Sequence, residues 1–172
     1  ETNYQFLSSS GADIQQDFLI IGSSFDAVSQ DKGITQRRTD NGRGRMFQSG
    51  YEVFDELELT SMCKTIGEQA VELLYADECP TGTTNLVLAP DQMLLQIHES
   101  IGHPLEVDRI LGDERNYAGW SFVNLEDFGK LKYGSDIMNI TFDPTIQNEF
   151  ASYGFDDTGN KATKEYVIKE GV

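Results

Sequence analysis

Hydrophobic and polar positions follow two different periods along this chain. From residue 4 to residue 54, short runs of β-formers are separated by turn signals. Phe18 to Val28 is followed by Asp31-Lys32-Gly33 and then by Ile34 to Thr39, a pattern that predicts a long antiparallel hairpin. From Asp55 the period becomes helical: Leu59, Met62, Cys63, Ile66, Ala70, Leu73 and Leu74 recur at steps of three and four. This predicts an amphipathic helix over about 57–75, with Asp55 and Glu58 as a capping-box start signal. Cys63 falls on the apolar stripe and is expected to behave as a small buried hydrophobe. Thr84 to Leu88 predicts a short strand, and Pro90-Asp91 opens a second helix running to about Gly102, proline being well placed in a first helical turn. Met93, Leu94, Leu95, Ile97 and Ile101 cover more than one face of it, which predicts a central helix buried on several sides. Beyond Pro104, Ser121 to Asn124, Ile137 to Phe142, Ser152 to Phe155 and Tyr166 to Ile168 have the texture of short strands.

Charge narrows the choice of partners. Lys and Arg number 13 against 29 Asp and Glu in 172 residues, a net charge of −16. Such a surface repels phosphate backbones, whose binding depends on Lys and Arg, so no nucleic-acid partner is expected. Apolar runs such as Phe18-Leu19-Ile20-Ile21 fall far short of the ~20 residues of a membrane-spanning helix, so no membrane partner is expected either. Four of the six arginines, at 37, 38, 43 and 45, cluster around Asn41-Gly42-Arg43-Gly44-Arg45. A Gly-rich loop with Arg could cradle phosphate. It lacks the Gly-Lys-Ser/Thr ending of a P-loop, however, and a turn beside one basic strand face is the favoured reading. Cys63 and Cys79 form no CxxC, which fits a reducing, cytoplasmic compartment. The chain begins at Glu1 without Met and ends on a strand-like phrase at Val172, so it is expected to be a piece of a longer protein.

The chemistry concentrates in one phrase. Both histidines of the chain lie in His98-Glu99-Ser100-Ile101-Gly102-His103, at the end of the second predicted helix. Two imidazoles with an adjacent carboxylate form a metal-ligand and general-base set. In the familiar zinc motif the histidines are four apart and share a helical face. Here they are five apart, and at about 100° per residue an unbroken α-helix would separate the rings by roughly 140°. Gly102 weakens the helix and Pro104 disfavours the α conformation at His103, so His103 is expected to leave the helix toward extended backbone. A local π-bulge would serve as well. Such a site would hold zinc or another divalent ion, with Glu99 taking a proton from water during amide hydrolysis. Third ligands or orienting groups could come from Glu106, Asp108, Asp113, Glu114 or Cys79, none of which has a diagnostic spacing. Against the metal reading stands an idle pair, with His98 on an apolar pocket and His103 favourable to the helix dipole.

The phrase from Leu95 to Asp108 resembles the metallopeptidases of the TldD/PmbA family, also labelled modulators of DNA gyrase, in which HExxxH is followed by a Leu-Glu pair and an acid. Asn41-Gly42-Arg43-Gly44 is similar to an upstream phrase of that family. Asp143-Pro144-Thr145, Phe155-Asp156-Asp157-Thr158-Gly159 and Ile168-Lys169-Glu170-Gly171-Val172 are similar to downstream ones. The resemblance implies a zinc (Zn2+) peptidase with His98 and His103 as metal ligands and Glu99 as catalytic carboxylate; Glu106 and Asp108 remain, from their closeness in sequence, the candidates for further residues around the site. It implies an α+β fold: an antiparallel-strand-rich domain with a long amphipathic helix and a metal-motif helix at about 91–103, spanning 1–108. The beginning of a mostly β domain follows over 109–172. The family's third ligand is a Cys downstream of anything here, so this stretch is expected to be short of a ligand. Pro104 departs from the small residue that many members carry. The resemblance further implies small or unstructured peptide substrates and a dimer, with itself or with a relative lacking the motif. The rival expectation is a non-catalytic dimerisation subunit or inactive fragment with a structural His pair.

Overall fold

Strand alternation builds most of the first of two compact units, Glu1–Thr81 with Phe142–Glu165, in a computed structural model that describes residues 1–42 and 44–172. The fold is α+β. β1 (Thr2–Leu7) pairs antiparallel with β2 (Asp13–Phe18), from Thr2 opposite Phe18 to Leu7 opposite Asp13. Along β2 exposed and half-buried residues alternate, as expected of a sheet with one covered face. β3 (Ile20–Ser23) pairs instead with β6 (Arg45–Gln48), and β4 (Asp26–Asp31) with β5 (Ile34–Thr39). The turn between β4 and β5 is Lys32-Gly33, both at positive φ, the two-residue connection whose twist matches antiparallel strands.

The long hairpin expected from Phe18 onward is therefore only its second half. Leu19 and the Ser24-Phe25 pair interrupt the run, and its pieces join three separate two-stranded sheets. The arginines near this region bind within the unit: Arg37 to Asp26, Arg38 to Gln69, and Arg45 by three bonds of 3.2–3.3 Å to the buried Asp40. That is the turn-and-strand-face reading of the Gly-Arg loop. Arg43 lies outside the described residues.

The helical period appears as α1 (Val53–Glu56) and α2 (Leu59–Glu72), the latter extended by one 3₁₀ turn to Tyr75. The start differs from the expected capping box. Glu58 adopts the left-handed conformation (φ 47°) and separates the two helices, while Glu52 accepts bonds from Ser49 and from the Gly50 amide. Ile66 and Ala70 are buried. β4 and β5 bind the second half of α2 and the turn beyond it: Ser29 donates to the Ala70 carbonyl, Arg38 to Gln69, and the Tyr75 hydroxyl to Asp31. Cys63 lies in the first half and is exposed, contrary to expectation, because these strand contacts fall one to three turns further along.

The second unit, Gly82–Thr141 with Tyr166–Val172, carries the histidines. Thr84 to Leu88 is not a strand: no partner strand pairs with it among the described residues, and Val87 is 93% exposed. α3 (Pro90–Ile97) begins with proline in its first turn as expected. It is not a central helix, since none of its residues is buried and Leu94 is 71% exposed. α4 (Val107–Leu111) follows, closed by Gly112 at φ 90°. Ser121 to Asn124 forms no strand, because its polar side chains bind backbone locally: Ser121 accepts the Val123 amide, and Asn124 caps the turn Leu125–Asp127. In the first unit, Ser152 to Phe155 contributes only an isolated bridge from Phe155 to Lys161. β7 (Ile140–Phe142) and β8 (Glu165–Ile168) pair, and Val123 and Ile168 are each 3% exposed.

Candidate metal centre

α3 ends where the motif begins. His98 to Gly102 forms one turn of π-helix, and the His103 amide donates to the His98 carbonyl across five residues. The wider turn removes the misalignment that an α-helix would impose on a five-residue spacing. The His98 and His103 rings stand edge to face, with centroids 4.3 Å apart. Ligand-capable atoms of His98, Glu99 and His103 all lie within 4.8 Å of one another, and no other such group of three is found among the described residues.

His103 does not take the extended conformation expected before proline. Its φ of −60° and ψ of −43° are helical, and it opens a 3₁₀ turn, His103–Leu105. The extra residue is absorbed before His103 rather than at it, so the π turn displaces the ring while the backbone stays helical. Ile101, on the same turn, is buried and ties it to the core.

Two carbonyls of this segment are held by side chains from later in the chain. The Tyr133 hydroxyl donates to the Ser100 carbonyl (2.6 Å), and the Ser121 hydroxyl to the Pro104 carbonyl (2.6 Å). Burial pushes the Tyr133 phenol above its ordinary value, keeping the hydroxyl a donor. Its own amide donates to the Gly171 carbonyl (2.7 Å).

Glu106 bridges His103 and Arg109. Its Oε1 lies 2.8 Å from His103 Nδ1, and its Oε2 pairs with Arg109 Nε. The His103 bond, followed by the Arg109 bond and charge, holds the Glu106 carboxyl below the ordinary glutamate value. An ionised carboxylate only accepts, so this contact favours a proton on His103 Nδ1, and in a neutral ring that leaves Nε2 as the acceptor. Arg109 is itself fixed, its Nη1 donating 2.8 Å to the Ala118 carbonyl. At the other ring, Glu99 Oε1 lies 3.9 Å from His98 Nε2, and both side chains are more than half exposed.

Asp108 points elsewhere, accepting the Arg109 amide (2.8 Å). Asp113 and Glu114 are not among the converging residues, and Cys79 belongs to the other unit. Sequence reasoning missed Arg109, Ser121 and Tyr133. The i,i+3 spacing of Glu106 and Arg109 is a readable helical pair, whereas nothing local marks a tyrosine 33 residues from its acceptor.

The donor chemistry fits a divalent ion such as zinc: two imidazoles converge, one has its Nδ1 against a carboxylate, and a second carboxylate stands beside them. A family model described as the PmbA/TldA metallopeptidase C-terminal domain matches residues 81–172. A protein named as a metalloprotease from Methanothermobacter thermautotrophicus is 31% identical over 176 residues, covering 100% of this chain and 35% of the relative. One from Archaeoglobus fulgidus, also named as a metalloprotease, is 26% identical, covering 98% and 36%. A metalloprotease TldD homolog from Buchnera aphidicola is 28% identical, covering 87% and 30%. The chain thus spans about a third of the length of the curated relatives it matches. No solved structure matches it.

Proposed function

The chain belongs to the PmbA/TldD metallopeptidase family, and on that premise we propose that it forms the zinc-binding core of a peptidase acting on small or unstructured peptides. The observation that carries this reading is the π turn that sets the two rings 4.3 Å apart beside Glu99. In this reading His98 and His103 hold the ion, and a further protein ligand comes from outside the residues that converge here. Zinc held there would supply a Lewis acid for a peptide carbonyl and would bring the acidity of water toward pH ~7. Glu99 is more than half exposed and its carboxylate stands beside the ring pair, 3.9 Å from His98 Nε2, so it takes the proton from the attacking water and delivers it to the departing amine. Glu106 engages His103 through Nδ1, which leaves Nε2 for the ion.

The test is metal content by elemental mass spectrometry on the full-length protein and on His98→Ala. About one zinc per chain, lost in the variant, is the expected result; no metal in the unaltered protein refutes the reading. The rival, a dimerisation subunit with an idle His pair, draws on the exposed apolar side chains of Leu86, Val87 and Leu94. It requires unchanged metal content and unchanged assembly in His98→Ala, which sedimentation checks alongside.

A further inference from the structure

Glu106 alone does not determine which of its faces meets His103. A carboxylate on a side chain that is 41% exposed has rotamers that point to water, and an orienting contact survives only if something holds it. Arg109 does this. Its side chain is 19% exposed, its Nε meets Glu106 Oε2, its Nη1 meets the Ala118 carbonyl, and its own carbonyl accepts the Ser121 amide (3.3 Å). The guanidinium is therefore anchored at the Ala118 carbonyl as well as at the carboxylate, and its Nε–Oε2 pairing leaves Oε1 to meet His103. Ser121 also holds the Pro104 carbonyl, so the same strut fixes the backbone next to the imidazole.

We propose that Arg109 is a positioning residue which, through Glu106, locks His103 in the Nδ1–H tautomer and so keeps Nε2 available to a metal ion. The proposal rests on the metal-centre reading above. It concerns a state that exists before any ion binds, which makes it separately measurable.

The experiment uses the full-length protein, metal-free, at about pH 8, where an ordinary histidine is neutral. Ring-nitrogen NMR reports the His103 tautomer, and competition with a chromophoric chelator reports the zinc dissociation constant. Wild type is expected to show a single Nδ1–H tautomer. In Arg109→Met the ring is expected to relax toward the mixture of an unconstrained imidazole, with zinc affinity falling about 10–100-fold, the usual effect of losing an outer partner of a ligand. Arg109→Lys keeps the charge without the fork and recovers only part of both signals.

A loss of stability without tautomer change is what a merely structural arginine would give. If Arg109→Met does not fold, the near-isosteric Glu106→Gln tests the same relay. An unchanged tautomer with unchanged zinc affinity in a folded variant overturns the proposal and leaves the metal-centre reading intact. A tautomer that depends on Arg109 in a wild-type protein that binds no zinc does the reverse.

Discussion

The His103 amide donates its hydrogen bond to the His98 carbonyl, so the two imidazole-bearing residues are the two ends of one five-residue helical turn. The spacing in the sequence and the type of helix are thus one fact. A motif with four residues from His to His suits an α turn, and the extra residue here is taken up by widening a single turn rather than by breaking the helix. The ring pair at 4.3 Å follows from that hydrogen bond.

Glu99 is expected to act on the proton and not on the metal. In Glu99→Gln, measured on the full-length protein, zinc affinity should change by no more than a few-fold. Peptide turnover should fall by about 10²–10⁴, the usual contribution of a positioned acid–base group. Parallel kcat and metal titrations decide it, and loss of both together would remove Glu99 from the role of base.

Tyr133 braces the π turn from a distance. Tyr133→Phe removes the donor to the Ser100 carbonyl and leaves that half-buried oxygen short of a partner. The expected cost is about 1–3 kcal/mol in urea unfolding. An unchanged unfolding midpoint would show that water replaces the hydroxyl without loss.

Gly171 is required by both backbone and space. Its φ is 79°, and a Cβ would lie 2.6 Å from the Ser135 carbonyl oxygen. Gly112, at φ 90°, has open space around it. Alanine at each position incurs about 1–2 kcal/mol for the left-handed backbone. Gly171→Ala should therefore lower the thermal midpoint more than Gly112→Ala, and equal shifts would refute the steric argument.

Asp156 gives the chain an acid-side dependence. Side-chain and backbone bonds from Asn160, and then from Thr158, lower its carboxyl from the ordinary 3.8 to about 2. Because the folded value lies below the unfolded one, the stabilisation is fully present above about pH 4 and is lost as pH falls through about 2. A carboxyl carbon titration should place the midpoint near 2, and Asp156→Asn should flatten the acid limb of the stability profile. A midpoint near 3.8 would contradict the turn's bonding.

What was legible in the sequence was local. Lys32-Gly33 between β-formers gives the hairpin of β4 and β5, Pro90 gives the start of α3, and the histidine spacing demands a distorted turn, with the π-bulge among the geometries that satisfy it. What was not legible depends on distant partners. Thr84 to Leu88 has β-forming side chains but, among the described residues, no strand to pair with. Cys63 sits on an apolar stripe, yet the strand contacts along α2 lie at Gln69, Ala70 and Tyr75. His103 was expected to yield to Pro104, and the bulge one turn earlier relieved that demand. Arg109 was readable only as the helical partner of Glu106, and Tyr133 carries no local signal, its role appearing only when Ser100 is found beside it.

The Tyr133 brace also bears on the order of assembly. His98, Glu99, His103, Glu106 and Arg109 fall within a dozen residues, so their mutual contacts close over short loops. Ser100 meets Tyr133 only by closing 33 residues, and Tyr133 in turn rests on the Gly171 carbonyl. During synthesis from the N-terminus, Gly171 is added roughly 70 residues after the histidines. The residues that prop the widened turn therefore follow the histidine pair off the ribosome, and the brace can close only once they have emerged.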